Sequence, residues 1–253
     1  MANYLIYESV ISEIMLAQDE DKKRKNLLVS VVIPVFNEEE TVGNIVTRTK
    51  NALEKMGVKY EVLVVDDGSQ DNSAKVAEQQ KVTVLRVIHQ GKGFALRTGF
   101  KFANGKLVIT LDADGSHKPE EIPLILKSLI DDEADFVVGS RFSKFEGNKF
   151  KIPKINRTGN RLFNNITRYL TGVNVSDSQS GFRAIRASLI KRMKLKSRGY
   201  EVESEMLVKA LRLNARVKET AISFDQRTVG RSKLDPFQDG IKILYAIIAA
   251  YLS

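Results

Sequence analysis

Two aspartates, Asp112 and Asp114, stand one small residue apart behind the strand-like run Leu107 to Leu111. Residues two apart in an extended segment point the same way, so both carboxylates address one site. Like charges placed so repel unless a cation neutralises them. Oxygen ligands suit Mg²⁺ or Mn²⁺, which commonly bridge carboxylates to the phosphates of a substrate. A second acidic pair, Asp66-Asp67, runs into Gly68-Ser69. Asp, Gly and Ser also favour turns and helix caps, so this pair can serve a turn and a site together. In Glu201-Val202-Glu203-Ser204-Glu205, a helix starting near Tyr200 puts Glu201 and Glu205 on one face. They then either contact a sugar or nucleotide or form a solvated acidic turn. Gly91-Lys92-Gly93, opening a helix at Phe94, is either a phosphate site at a helix N-terminus or a plain turn. The two histidines are His89 and His117. His117, just past the aspartates, is a candidate base or a structural support.

These residues need a frame to hold them. Strand-like runs cover Leu27 to Val35, Tyr60 to Val65, Val82 to Ile88, Leu107 to Leu111 and Phe136 to Val138. Amphipathic helical patterns fall between them, over Glu38 to Met56, Ser73 to Gln79, Gly93 to Ala103 and Pro119 to Leu129. Such alternation predicts an α/β fold with a mainly parallel sheet and helices on both faces. Ligands on such sheets sit at the carboxyl ends of the strands, where Asn37-Glu38, Asp66-Asp67, Asp112-Ala113-Asp114 and Gly139-Ser140-Arg141 fall. No Gly-x-Gly-x-x-Gly follows the first strand and no Gly-x-x-x-x-Gly-Lys-Ser/Thr occurs, which argues against a dinucleotide-binding unit and a P-loop NTPase.

With 253 residues, 43% hydrophobic and 28% charged, the chain is long enough for a substantial core and is neither disordered nor a multi-span membrane protein. It has no cysteine, so thiolate metal sites, disulfides and a cysteine nucleophile are excluded. A net charge of +9 suits an anionic partner. The Lys and Arg residues are scattered rather than interleaved with aromatics, so nucleic acid is not the expected one. Three regions follow: a helical extension and charged linker over 1–26, a catalytic body over 27–237 and an apolar helix over 238–253. In the extension, apolar residues between Tyr4 and Ala17 recur at helical spacing, for a helix packed on the body or held by a partner or membrane. Ile241 to Leu252 is apolar apart from Lys242. Its twelve residues rise only ~18 Å as a helix, short of a hydrocarbon core of about 30 Å. Such a helix lies in the membrane interface, docks on a membrane partner or folds back on the body, and the expectation is an interfacial or partner-bound helix rather than one that spans.

The motif order is specific: Ile33-Pro34-Val35-Phe36-Asn37-Glu38; Val65-Asp66-Asp67-Gly68-Ser69; Gly91-Lys92-Gly93; Leu111-Asp112-Ala113-Asp114; Gly139-Ser140-Arg141; Asp177-Ser178-Gln179-Ser180-Gly181-Phe182-Arg183; Gly199-Tyr200-Glu201; Gly230-Arg231-Ser232-Lys233-Leu234. It resembles the family-2 glycosyltransferases of GT-A fold, Rossmann-like with a mixed, mainly parallel sheet, and within them the polyprenyl-phosphate sugar synthases that include dolichol-phosphate mannose and glucose synthases. The resemblance runs from about Val29 to Phe237. It implies an inverting enzyme that moves a sugar from a nucleoside-diphosphate sugar to a polyprenyl (dolichyl) phosphate. The alternative is a soluble or cell-surface saccharide acceptor. It implies nucleotide-sugar contacts at Pro34, Phe36, Glu38, Val65, Asp67, Ala113 and Lys233, with Phe36 in place of the family's usual tyrosine. It implies Mg²⁺ or Mn²⁺ at Asp112 and Asp114, with Ser116 at a third ligand position. Arg141 is implied at the reacting centre, and Arg141, Arg157 and Arg227 on phosphate. The three arginines are expected to serve substrate rather than structural ion pairs. The stretch Thr228-Val229-Gly230 reads as a lid over the substrate. The implied setting is the cytoplasmic face of a membrane, with a membrane surface or membrane-protein partner. GDP-mannose, UDP-glucose and UDP-N-acetylglucosamine remain open as donors, with a lean to UDP-sugars.

Excess chelator is expected to abolish sugar transfer. Asp114→Asn is expected to lose activity by orders of magnitude while its thermal midpoint moves little, because a carboxylate at a strand end adds little to a core. Transfer assays with EDTA and thermal melts of the variant check both.

Overall fold

The computed structural model describes residues 28–142, 152, 154–225, 227 and 235–253. The expected N-terminal helix and linker, Lys233 and the Thr228-Val229-Gly230 stretch lie outside these residues. Seven strands form one sheet: β1 (Leu28–Val35), β2 (Lys59–Asp66), β3 (Thr83–Arg86), β4 (Leu107–Thr110), β5 (Phe136–Ser140), β6 (Arg183–Arg186) and β7 (Val217–Ala221). Their order is β3-β2-β1-β4-β6-β5-β7. All neighbours are parallel except β6, which runs antiparallel to both β4 and β5. The helices are α1 (Val42–Met56), α2 (Ser73–Gln79), α3 (Lys92–Phe102), α4 (Ile122–Ile130), α5 (Lys154–Thr171), α6 (Ala187–Met193), α7 (Val202–Arg212) and α8 (Gln238–Leu252).

The central strands read as unbroken apolar runs because both faces of the sheet are covered. Along β1, Val31 and Ile33 pack toward Ile45 and Leu53 of α1 and Leu126 of α4. Val32, between them, packs on the opposite face with Leu96 of α3 and Met206 and Leu207 of α7. Expected and observed boundaries agree within a few residues over the first five strands. Glu38 to Thr41 forms a turn before α1, with the carbonyl of Glu38 accepting from the backbone N–H groups of Thr41 and Val42. Pro119–Glu121 is a 3₁₀ turn that leads into α4.

α8 is amphipathic in its packing. Ile243, Ile247 and Ala250 are buried against Phe163 of α5 and Val208 of α7, whereas Ile241, Tyr245, Ile248 and Leu252 face outward. Among the described residues no helix is long and apolar enough to cross a membrane.

Ile247→Ala should destabilise the fold by about 2–5 kcal/mol, the usual cost of emptying a buried aliphatic site. Tyr245→Ser, on the outer face, should stay within about 0.5 kcal/mol. Urea unfolding of the two variants measures the contrast.

Candidate active site

Asp112 and Asp114 follow β4 at the carboxyl edge of the sheet. Gly115 takes a left-handed turn (φ 78°) that brings Ser116 back to Asp114. The backbone N–H and hydroxyl of Ser116 both donate to Asp114 Oδ1, at 3.0 and 2.7 Å. Ser116 thus holds the Asp114 carboxylate, a contact distinct from its expected place as a third metal ligand. Gly181, in the loop before β6, lies directly beside Asp112. A Cβ there would sit 2.4 Å from Asp112 Oδ2, so a side chain at 181 would push the carboxylate away.

Lys92, the first residue of α3, reaches the same carboxylate from the other side. Its Nζ lies 2.6 Å from Asp112 Oδ1 and 2.8 Å from Glu203 Oε1. Burial works to neutralise both Lys92 and Asp112. Their contact outweighs it, with help from Glu203 on the lysine and Arg141 on the aspartate. The Lys92 ammonium is held above its ordinary range and Asp112 below its own. His117 is buried between Phe182 and Phe224. Neither of its ring nitrogens has a hydrogen-bond partner among the described residues, and Nδ1 lies 4.0 Å from Asp112 Oδ2. Burial pushes its pKa down, which favours the neutral ring near pH 7 and agrees with a supporting position under the aspartates.

The three arginines differ. Arg141, just past β5, forms a bidentate pair with the fully buried Asp177, Nε to Oδ2 at 2.7 Å and Nη2 to Oδ1 at 2.8 Å. Arg227 pairs with Glu38 and lies 4.0 Å from Asp114 Oδ2. The expectation that these two stand apart from protein ion pairs is therefore corrected: Arg141 pairs with the buried Asp177 and Arg227 with the partly buried Glu38. Arg157 shares a face of α5 with Asn160 and Asn164, at i+3 and i+7. The amides of both asparagines donate to the carbonyl of Ser176, which turns that face toward the Asp177 loop.

On the expected nucleotide side, Phe36 stacks on His89 with ring centroids 4.1 Å apart, and Glu38 holds Arg227. Pro34 is paired in β1 opposite Val65. Val65 is wholly enclosed between β1, α3 and its neighbours, so its side chain has no face toward a ligand. Ala113 is likewise buried. The carboxylate of Asp67 accepts from the backbone N–H groups of Gln90 and Gly91, at 2.9 and 2.8 Å, and contacts His89 Nδ1. It organises the loop that presents Lys92.

Among the described residues no three His, Cys, Asp or Glu side chains gather as a metal cage. Asp112 and Asp114, each about a quarter exposed at 23% and 24%, supply hard oxygen donors open on one side. That set fits a cation shared with substrate phosphates rather than one enclosed by protein.

The family model for "Glycosyl transferase family 2" matches residues 30–194. The chain belongs to that family. An uncharacterized protein of Methanocaldococcus jannaschii is 37% identical over 227 residues, covering 87% of this chain and 90% of that one. The UDP-N-acetylglucosamine–dolichyl-phosphate N-acetylglucosaminyltransferase of Methanococcus voltae is 31% identical over 246 residues, covering 87% and 95%. The crystal structure of glucosyl-3-phosphoglycerate synthase from Mycobacterium tuberculosis, in complex with Mn²⁺, UDP and phosphoglyceric acid, superposes with a TM-score of 0.73. It has 19% identity and covers 92% and 82% of the two chains. That likeness establishes the GT-A fold.

Glu203 is not apparent from spacing: it stands inside the acidic run 201–205, where helical spacing singles out Glu201 and Glu205. Lys92 and Arg227 are legible as phosphate-binding groups but not as partners of carboxylates. Glu201 and Glu205 are not solvated: Glu201 accepts from the N–H groups of Arg198 and Gly199, and Glu205 from those of Lys196 and Ser197. They fasten the loop whose carbonyls at Ser197 and Arg198 pack on Gly93 and Gly91. A Cβ on Gly91, at φ 102°, would lie 2.6 Å from the Arg198 oxygen. Arg183 is fully buried, its guanidinium donating to the carbonyls of Ser178, Ser180 and Glu203. Burial lowers its pKa to about 10. The one sequence signal for this arrangement is the clustering of Asp177, Gly181 and Arg183 in a single motif.

Arg141→Ala should cost about 3–5 kcal/mol, because it strands the buried carboxylate of Asp177. Arg157→Ala, on a half-exposed helix face, should stay within about 0.5 kcal/mol. Equilibrium unfolding of both variants checks the split.

Proposed function

We propose that this family-2 enzyme transfers a sugar from a nucleoside-diphosphate sugar to a polyprenyl phosphate, with inversion at the anomeric carbon, at a membrane surface. The observation that carries the reading is the Asp112/Asp114 pair at the sheet edge with Lys92, Arg141 and Arg227 around it. Such a constellation suits a substrate whose reaction moves negative charge onto a diphosphate. The relative from Methanococcus voltae, aligned over nearly the whole of both chains, supports a UDP-sugar donor and a lipid-phosphate acceptor.

Asp112 and Asp114 would hold Mn²⁺ or Mg²⁺, with Ser116 fixing the second carboxylate. The bound ion would neutralise charge on the departing diphosphate. Arg141, oriented by its bidentate pair with Asp177, holds its positive charge fixed near Asp112, the preorganised placement that stabilises developing charge best. Arg157 lies on the same side for the acceptor phosphate, and Glu38 sets Arg227 beside Asp114. Phe36 and His89 supply a flat aromatic surface for the base. An alcohol acceptor would need a general base. A lipid monophosphate, with its second pKa near about 6, is already anionic at neutral pH. Such a reaction asks nothing of His117 as a base, in keeping with its burial between Phe182 and Phe224.

Two surfaces support membrane contact. α5 contains no acidic residue and repeats a basic–apolar dyad at seven-residue spacing, Lys154-Ile155, Arg161-Leu162 and Arg168-Tyr169, all six exposed. The outward stripe Ile241, Tyr245, Ile248 and Leu252 of α8 lies on the neighbouring helix. Basic and apolar side chains so combined suit an anionic lipid interface.

Incubation of the full chain with UDP-N-acetylglucosamine, UDP-glucose or GDP-mannose, a short-chain polyprenyl phosphate and Mn²⁺ or Mg²⁺ tests the reading by mass spectrometry. A UDP-sugar is expected to give a polyprenyl-phosphate sugar of inverted anomeric configuration. Donor turnover with transfer only to a soluble saccharide would overturn the lipid acceptor.

A further inference from the structure

The cation nearest Asp112 is one the chain supplies itself. Lys92 Nζ lies within 2.8 Å of carboxylate oxygens from two elements far apart in sequence, Asp112 after β4 and Glu203 in the first turn of α7. The lysine is mostly enclosed, with its side chain 16% exposed. Among the described residues Glu203 Oε1 is buried with no hydrogen-bond partner other than this ion pair. Lys92 is also held from behind. Asp67 binds the N–H of Gly91, and the 197–199 carbonyls close over Gly91 and Gly93. Four cations, Lys92, Arg141, Arg183 and Arg227, therefore stand against five anions, Asp112, Asp114, Asp177, Glu203 and Glu38, and the centre is within one charge of neutral as it stands.

We propose that Lys92 is a tethered counter-ion that competes with the divalent cation for Asp112, so that the metal is bound well only together with the nucleotide diphosphate. The inference rests on the proposed metal position at Asp112 and Asp114. A divalent ion entering alone must displace the ammonium from Asp112 and turns a nearly balanced centre net positive. When the diphosphate enters with it, the incoming charges largely cancel, and the displaced ammonium has a new anion within reach of its flexible stem. Without the lysine, Asp112 and Glu203 would face one another across a cation-sized space with no cation in it.

The two directions of change are opposite, which separates this role from a structural one. Lys92→Met keeps the length of the side chain and removes the charge. It should raise the affinity for Mn²⁺ alone by about tenfold or more, the scale of removing one close like charge from a partly enclosed site. It should also lower the affinity for UDP in the presence of Mn²⁺ by about tenfold, through loss of one charge-assisted phosphate contact. Loss of fold would weaken both. Lys92→Gln, which retains hydrogen-bonding groups without charge, should move both affinities in the same directions, and Lys92→Arg should leave Mn²⁺ binding near that of the parent. Free Mn²⁺ is read by electron paramagnetic resonance during titration of the full-length protein, with and without UDP, and circular dichroism confirms folding of each variant. If the parent binds Mn²⁺ with UDP but neither neutral variant binds Mn²⁺ alone more tightly, the counter-ion role is wrong and the metal position stands. If no form binds Mn²⁺ even with UDP, the metal position falls and this inference falls with it.

Discussion

Charge buried at close quarters is the constraint on which this structure turns. A carboxylate or guanidinium removed from water is tolerated only when partners surround it. Here Asp177 has Arg141, Asp112 has Lys92, and Arg183 has a ring of backbone carbonyls. Each pair joins segments from different parts of the chain. The carboxyl ends of β4 and β5, the loop before β6 and the first turn of α7 are therefore drawn to one point. The apolar layers above and below the sheet supply the bulk of the burial, but they do not specify where those four segments meet.

β6 is the geometric device that makes the meeting possible. In a wholly parallel sheet every loop on the ligand side follows a strand. Because β6 runs the other way, the loop that precedes it arrives at that edge too, carrying Asp177, Gly181 and Arg183 in one short piece. Gly181 can then lie against Asp112 with no side chain between them. Asp177 comes within reach of Arg141 across the neighbouring strand.

Much of this frame was legible in the sequence, for reasons that can be named. β1, β2 and β4 are continuous apolar runs because both faces are covered, and the acidic and basic clusters fall where strands end. β6 and β7 escaped that reading. Arg183-Ala184-Ile185-Arg186 begins with a charged residue that turns out to be fully buried, and Val217-Lys218-Glu219-Thr220-Ala221 alternates too weakly to stand out. The aspartate pair was visible from spacing. The partnership of Lys92 with Glu203 was not, since nothing local links residues 92 and 203. Val65 shows a limit of motif reading: its side chain is buried in the sheet, so any contact it makes with a ligand is left to its backbone. The hold of the Asp67 carboxylate on the loop that carries Lys92 was not legible either, since nothing local links residues 67 and 91.

The span of these pairings has a consequence for how the chain matures on the ribosome. Glu38 and Arg227 are separated by 189 residues. At synthesis rates of roughly 5–20 residues per second, Glu38 emerges some 10–40 s before its partner exists. During that interval β1 and β2 can already pair, since their contacts are local, while the acidic edge stays open. A nascent chain of this design carries exposed carboxylates at the future catalytic edge until its last third is made. The exposed negative charge favours solubility at the stage when the apolar strands are least covered.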